Sequence, residues 1–189
     1  MSLYRYLLLL SCTIIMLGSP RVGAQDAPSD ALKNFLAAQQ QPLPLHVNFV
    51  QRRSIEGLPR PLVSEGELTI TATQVLWHTQ QPLQQQLTIS AEGITAGGDG
   101  TTMRGSEVVA QLLLAVLQGD AEALAQSFSY QQTEHCLALQ PKAAQLQQFI
   151  REITSCGSAG IEQVTIEETQ GNRSVITFTP RESQADATH

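Results

Sequence analysis

The sequence is short of positive charge, of aromatic side chains and of recognisable catalytic motifs. Its 189 residues contain two lysines, Lys33 and Lys142, and in total 11 Lys+Arg against 17 Asp+Glu. Polyanions are held by clustered cations, so nucleic acid is excluded as a partner. One Trp and three Tyr are too few for the stacking platforms that bind bases or sugars. There is no His-Glu-x-x-His, no Gly-x-Ser-x-Gly and no phosphate-cradling glycine loop ending in Lys. His46, His78 and His135 are widely separated and show no ligand spacing. Neither catalysis, nor a metal, nor a cofactor is therefore expected. Apolar residues make up 42%, enough for one ordinary core and too few for a polytopic membrane protein.

What is present starts with a leader. A short basic start, Met1 to Arg5, precedes the apolar run Tyr6–Gly18, a polar exit and the small-residue triplet Val22-Gly23-Ala24. This is the layout of a secretory signal peptide cleaved after Ala24. The run falls short of the roughly 20 apolar residues of a membrane-spanning helix. Leu9-Leu10-Ser11-Cys12 resembles a lipobox, but lipidation at Cys12 would strand the apolar segment Thr13–Leu17 on the mature side. The expected mature domain, residues 25–189 with a polar tail from about 181, loses Arg5 and Arg21 and reaches a charge of −8. Such a surface resists anionic lipid, so the mature protein is expected to be soluble in the exported compartment rather than lying on a membrane.

Periodicity then divides the mature chain. Ser29 or Asp30 can cap a helix from Ala31 to about Gln40, with Leu32, Phe35 and Leu36 at helical spacing and Pro42 and Pro44 beyond it. Leu45, Val47 and Phe49 alternate with polar residues in a strand that carries Gln51, Arg53 and Ile55 on the same face. Glu67–Thr73, Val75–Thr79 and Leu83–Ser90 read as further antiparallel strands. Glu107–Gln118 is a helix stopped by Gly119, and Asp120 can cap a second helix over Ala121–Phe128. The first of these two is apolar around more than one stripe, so it must be covered on two sides or face something apolar. Four β-type runs follow, at about Tyr130–Gln140, Leu146–Thr154, Ile161–Thr169 and Ser174–Thr179. Of the mature residues 23 are Gln, scattered as expected for polar outer faces rather than for a low-complexity tract. Cys136 and Cys156 lack a Cys-x-x-Cys spacing; in an oxidising compartment a structural disulfide is the leading reading, with a catalytic or metal-binding pair as alternatives.

Three segments carry a family likeness: Phe49-Val50-Gln51, then Pro61-Leu62-Val63-Ser64-Glu65-Gly66-Glu67-Leu68, then Leu76-Trp77-His78-Thr79-Gln80-Gln81-Pro82. In order and spacing they resemble the N-terminal half of the LolA family of outer-membrane lipoprotein carriers. That family shows a Phe-x-Gln strand, a Gly-x-Leu strand and a Trp-bearing strand ending before Pro. Leu137-Ala138-Leu139-Gln140-Pro141, Phe149-Ile150, Ile166-Glu167-Glu168, Gly171-Asn172 and Ile176-Thr177-Phe178 extend the likeness to about Pro180. The basic residue and Pro that usually precede the Trp strand are replaced by Thr71-Ala72-Thr73-Gln74, as in a divergent paralogue.

The resemblance implies a mainly β fold, an unclosed, curved antiparallel barrel covered by short helices around an apolar cavity for acyl chains. It implies a monomeric carrier in the periplasm, in transient membrane contact only, that takes lipoprotein acyl chains, or another envelope lipid, from an inner-membrane transporter to an outer-membrane acceptor. A lipid- or protein-sensing envelope domain of the same fold, or a carrier of a non-lipoprotein lipid, is the alternative. Candidate cavity residues are Phe49, Leu68, Ile70, Trp77, Leu87, Ile89, Leu112, Leu113 and Val116. Trp77 fits a cavity wall and plain core equally, since large aromatics serve both. Arg53 either holds a polar ligand head or sits in solvent beyond the buried part of its strand.

Overall fold

A computed structural model of the chain describes residues 28–97, 100–103 and 106–181, apart from the side chains of Val108 and Leu112. The expected leader, the start at Gln25 and the tail beyond Arg181 lie outside the described residues. Helix α1, Asp30–Gln39, begins where the Ser29 side chain accepts a hydrogen bond from the Leu32 amide. The chain then forms β1 (Leu45–Ser54), β2 (Leu62–Ile70), β3 (Gln74–Gln81), β4 (Gln85–Ser90) and β5 (Gly93–Ala96). Helices α2 (Glu107–Gln118) and α3 (Ala121–Ser127) follow, separated by Gly119 at φ 68° and by Asp120, whose carboxylate caps the Ala123 amide. The last part is β6 (Phe128–Gln132), β7 (Cys136–Pro141), α4 (Ala144–Gln147), β8 (Ile150–Cys156), β9 (Gln163–Glu168) and β10 (Arg173–Pro180).

All ten strands form one antiparallel sheet in the order β5-β4-β3-β2-β1-β10-β9-β8-β7-β6. Within it β1 pairs with β10, which joins the two halves of the chain, and the edge strands β5 and β6 do not pair, so the sheet stays unclosed. The alternation read in β1 continues across the sheet. Val47 lies opposite Leu68, Leu68 opposite Trp77, and Phe49 opposite Phe178, all on the face that the helices cover.

Two apolar clusters fill that face. One joins Leu32, Phe35 and Leu36 of α1 to Leu124 and Ala125 of α3, Phe128 of β6 and Leu137 and Leu139 of β7. The other joins Val47, Phe49, Leu68, Ile70, Val75, Ile89 and Ile176 of the sheet to Ala110 and Leu114 of α2. Helix α2 also gives Ala115 and Val116 to the first cluster. Its apolarity on several sides thus follows from packing between two cores rather than on one.

Three sequence boundaries are corrected. The run Tyr130–Gln140 is a hairpin, β6 and β7, turned at Thr133, whose amide and hydroxyl both bond the Cys136 carbonyl. The inner-facing positions switch there from even (Phe128, Tyr130) to odd (Leu137, Leu139), a change of parity that a single strand cannot make. The run from Leu146 starts in α4, and β5 appears where the sequence showed only a loop entrance. Cys136 and Cys156 are directly opposed on β7 and β8 and form a disulfide. Gly66 is required by close approach: an added Cβ would collide with the His78 carbonyl of β3, at the point where the β2–β3 register shifts.

Candidate functional site

Between the two clusters the inner face is not filled. A cavity of about 370 Å³ opens at the end of the sheet where β1 begins and β10 ends. This falls in the range of small-ligand pockets, about 300 to 1,000 Å³. Leu45 and Val47 of β1, Leu68 and Ile70 of β2, Val75 and Trp77 of β3, Val164 of β9 and Phe178 of β10 form its sheet wall. Leu113, Val116 and Leu117 of α2 and Leu36 of α1 form the helical wall. Phe49, 1% exposed, lies behind Trp77 with the ring centroids 4.6 Å apart, so the indole is braced from the core side.

The rim is polar and built from glutamines. The segment Gln39-Gln40-Gln41 leaves the end of α1, and the loop Ala159–Glu162 between β8 and β9 faces it. Gln39 Nε2 donates to the Gly157 carbonyl at 2.6 Å and Gln41 Nε2 to the Ala159 carbonyl at 2.9 Å. Gln40 Nε2 donates to the Gln118 carbonyl at the end of α2, and Gln118 Nε2 donates to the Ala72 carbonyl in the β2–β3 turn at 2.8 Å. These bonds tie the ends of both helices to the sheet around the opening. Glu162 is the one ionisable residue of the lining among the described residues. Its Oε1 accepts the Ser158 amide at 3.1 Å and the Ser158 hydroxyl at 3.0 Å, and these bonds, the amide first, hold its carboxyl below the ordinary value of 4.5.

A family model described as outer membrane lipoprotein carrier protein LolA matches residues 43–189. The chain belongs to the LolA family. No curated protein matches it. Among solved structures it is similar to the LolA superfamily protein NE2245 from Nitrosomonas europaea, with 10% identity and a TM-score of 0.46 over 83% of this chain and 95% of that one. It is also similar to LprF from Mycobacterium bovis, with 13% identity and a TM-score of 0.33 over 81% of this chain and 93% of that one. A DUF1329 family protein from Desulfovibrio piger aligns at 10% identity with a TM-score of 0.35, over 85% and 95% of the two chains.

In this LolA-family chain the candidate residues separate into groups. Leu68, Ile70, Trp77, Leu113 and Val116 come together on the cavity wall. Phe49 and Ile89 are buried in the core behind it, and Leu87 is half-buried opposite Trp77 on β4 without lining the cavity. The side chain of Leu112 lies outside the described residues. Arg53 is on the inner face but at the far end of β1, where its Nη2 lies 2.7 Å from Glu168 Oε1 and does not reach the cavity lining. Sequence reasoning missed the rim glutamines and the Ala159–Glu162 loop. It also missed Val47 and Phe178, whose place follows from sharing a strand face with Phe49 and Ile176. Among the described residues no group of three or more His, Cys, Asp or Glu is placed to hold a metal ion.

Proposed function

We propose that this LolA-family protein is a periplasmic carrier that shelters acyl chains of a lipoprotein or another envelope lipid and moves them from the inner to the outer membrane. The observation that carries the reading is the cavity itself. Its walls are Leu, Val, Ile, Trp and Phe, and its polar groups are confined to one rim. A buried methylene gains about 0.8 kcal/mol over water, so such a wall shelters a chain by transfer alone and needs no chemistry to release it. The leader-like residues 1–24 support export, and the family match supports hand-over between a membrane transporter and a membrane acceptor. Native mass spectrometry of protein isolated from its own cell envelope tests the reading. Co-purifying acylated species are expected. Failure to take up either native lipid or an added acyl probe overturns it.

A further inference from the structure

The rim also bears on the part of the cargo that stays outside the cavity. Its polar groups are the three amides of Gln39, Gln40 and Gln41 and the Glu162 carboxylate; no Lys or Arg lines the opening among the described residues. The nearest arginine in sequence, Arg181 after Pro180, is turned away. Its Nη1 is 2.7 Å from Glu67 Oε2, and Glu67 lies on the outer face of β2, alternating with the inward Leu68. The Ser158 bonds keep Glu162 ionised and use its Oε1, which leaves Oε2 to accept. Each glutamine Nε2 spends one of its two N–H groups on the carbonyl of Gly157, Gln118 or Ala159 and keeps the other, while the Gln39 Oε1 is buried without a hydrogen-bond partner. The opening therefore presents neutral amides and one negative charge, with no Lys or Arg to balance it among the described residues.

We infer that the cavity is selective for acyl compounds whose head is neutral and donates hydrogen bonds, an amide or a hydroxyl, against those whose head is a carboxylate or phosphate. This rests on the acyl-carrier reading and narrows its substrate class. An anionic head held at the rim meets a like charge on Glu162, which is exposed, so the repulsion acts through water. At about 6 Å and low salt it corresponds to about a threefold loss of affinity. A neutral donor replaces a water on Glu162 Oε2 and loses nothing comparable.

The test is competition at pH 8 and low salt against a fluorescent dodecanoyl amide, with Trp77 emission followed in parallel as the signal that a chain has reached the wall. Dodecanol is expected to displace the probe at about threefold lower concentration than dodecanoate or dodecyl phosphate. Added salt should narrow the gap. Glu162→Gln should close most of it, Glu162→Lys should reverse it, and Glu56→Gln, which removes a charge at the opposite end of the sheet, should leave it in place. Equal displacement by all three competitors, with Trp77 responding, overturns the head-group inference and leaves the acyl cavity standing. A probe that does not bind and an unresponsive Trp77 overturn both.

Discussion

Replacing Leu113 or Val116 by glutamate sets the cavity wall against the core directly. Both side chains are half-buried, both line the cavity, and they pack against different clusters, Leu113 against the sheet and Val116 against α1 and α3. A carboxylate in a closed core has no hydration and abolishes folding, whereas one on a wall that admits water destabilises by about 1 to 3 kcal/mol. Its hydration shell occupies cavity volume and removes contact with about three methylenes of a bound chain. At about 0.8 kcal/mol each this amounts to roughly 2.4 kcal/mol, a loss of about 50-fold in affinity. Titration with a fluorescent acyl amide measures the affinity, and urea unfolding followed by circular dichroism measures the stability. Leu124→Ala in α3, at a position with 0% exposure, is the core control. It should lose about 2 to 5 kcal/mol of stability and leave the affinity of the folded fraction unchanged. Gln111→Glu, on an exposed position of α2, should change neither. Folded Leu113→Glu and Val116→Glu proteins that both bind the probe within twofold of the parent would refute the assignment of α2 to the wall.

Other outcomes follow from separate features. Cys136→Ser with Cys156→Ser should lower stability by about 2 to 4 kcal/mol, the range for a closed loop of about 20 residues, read as a shift in urea midpoint that reduction of the parent reproduces. Gly66→Ala should destabilise by about 1 to 3 kcal/mol, because β2 must move away from the His78 carbonyl; an unchanged melting temperature would show that the approach is looser. The Glu162 carboxyl should titrate below 4.5 in a carbon-13 NMR pH series, and Ser158→Ala should move its midpoint up towards that value. Because its folded-state value is lowered, whatever stability the group contributes is present above 4.5 and lost as pH falls through the lowered midpoint. N-terminal sequencing of the exported protein should begin at Gln25.

Local pattern determined most of the elements, because it acts over a few residues. The helix Glu107–Gln118 could be bounded from its period and from Gly119, since a left-handed stop is a one-residue property. Strand β1 and its inward face could be read from Leu45, Val47 and Phe49, because a pleat fixes side-chain direction at every second residue. The apolarity of α2 beyond one stripe signalled that it would be covered on two sides or face something apolar, and it does both, packing on two clusters and lining the cavity. The hairpin at Thr133 was written in a parity switch that a reading for apolar runs passes over.

Only the tertiary structure decided which apolar residues remain uncovered. Phe49 and Trp77 are both large aromatics on the same face of β1 and β3, the strands that flank β2, yet Phe49 is sealed and Trp77 lines the cavity. The difference lies in where α1 and α2 end over the sheet, and no local pattern encodes that. Arg53 shares the inward parity of Val47 but stands three pleats further along, where Glu168 from a distant strand neutralises it. The rim depends on the same long-range geometry. Gln39 and Gln41 meet carbonyls 118 residues away in sequence, and glutamines so common in this chain carried no signal of their own. Pairing of β1 with β10 brings these distant segments into one sheet, and the position of the cavity follows from that pairing.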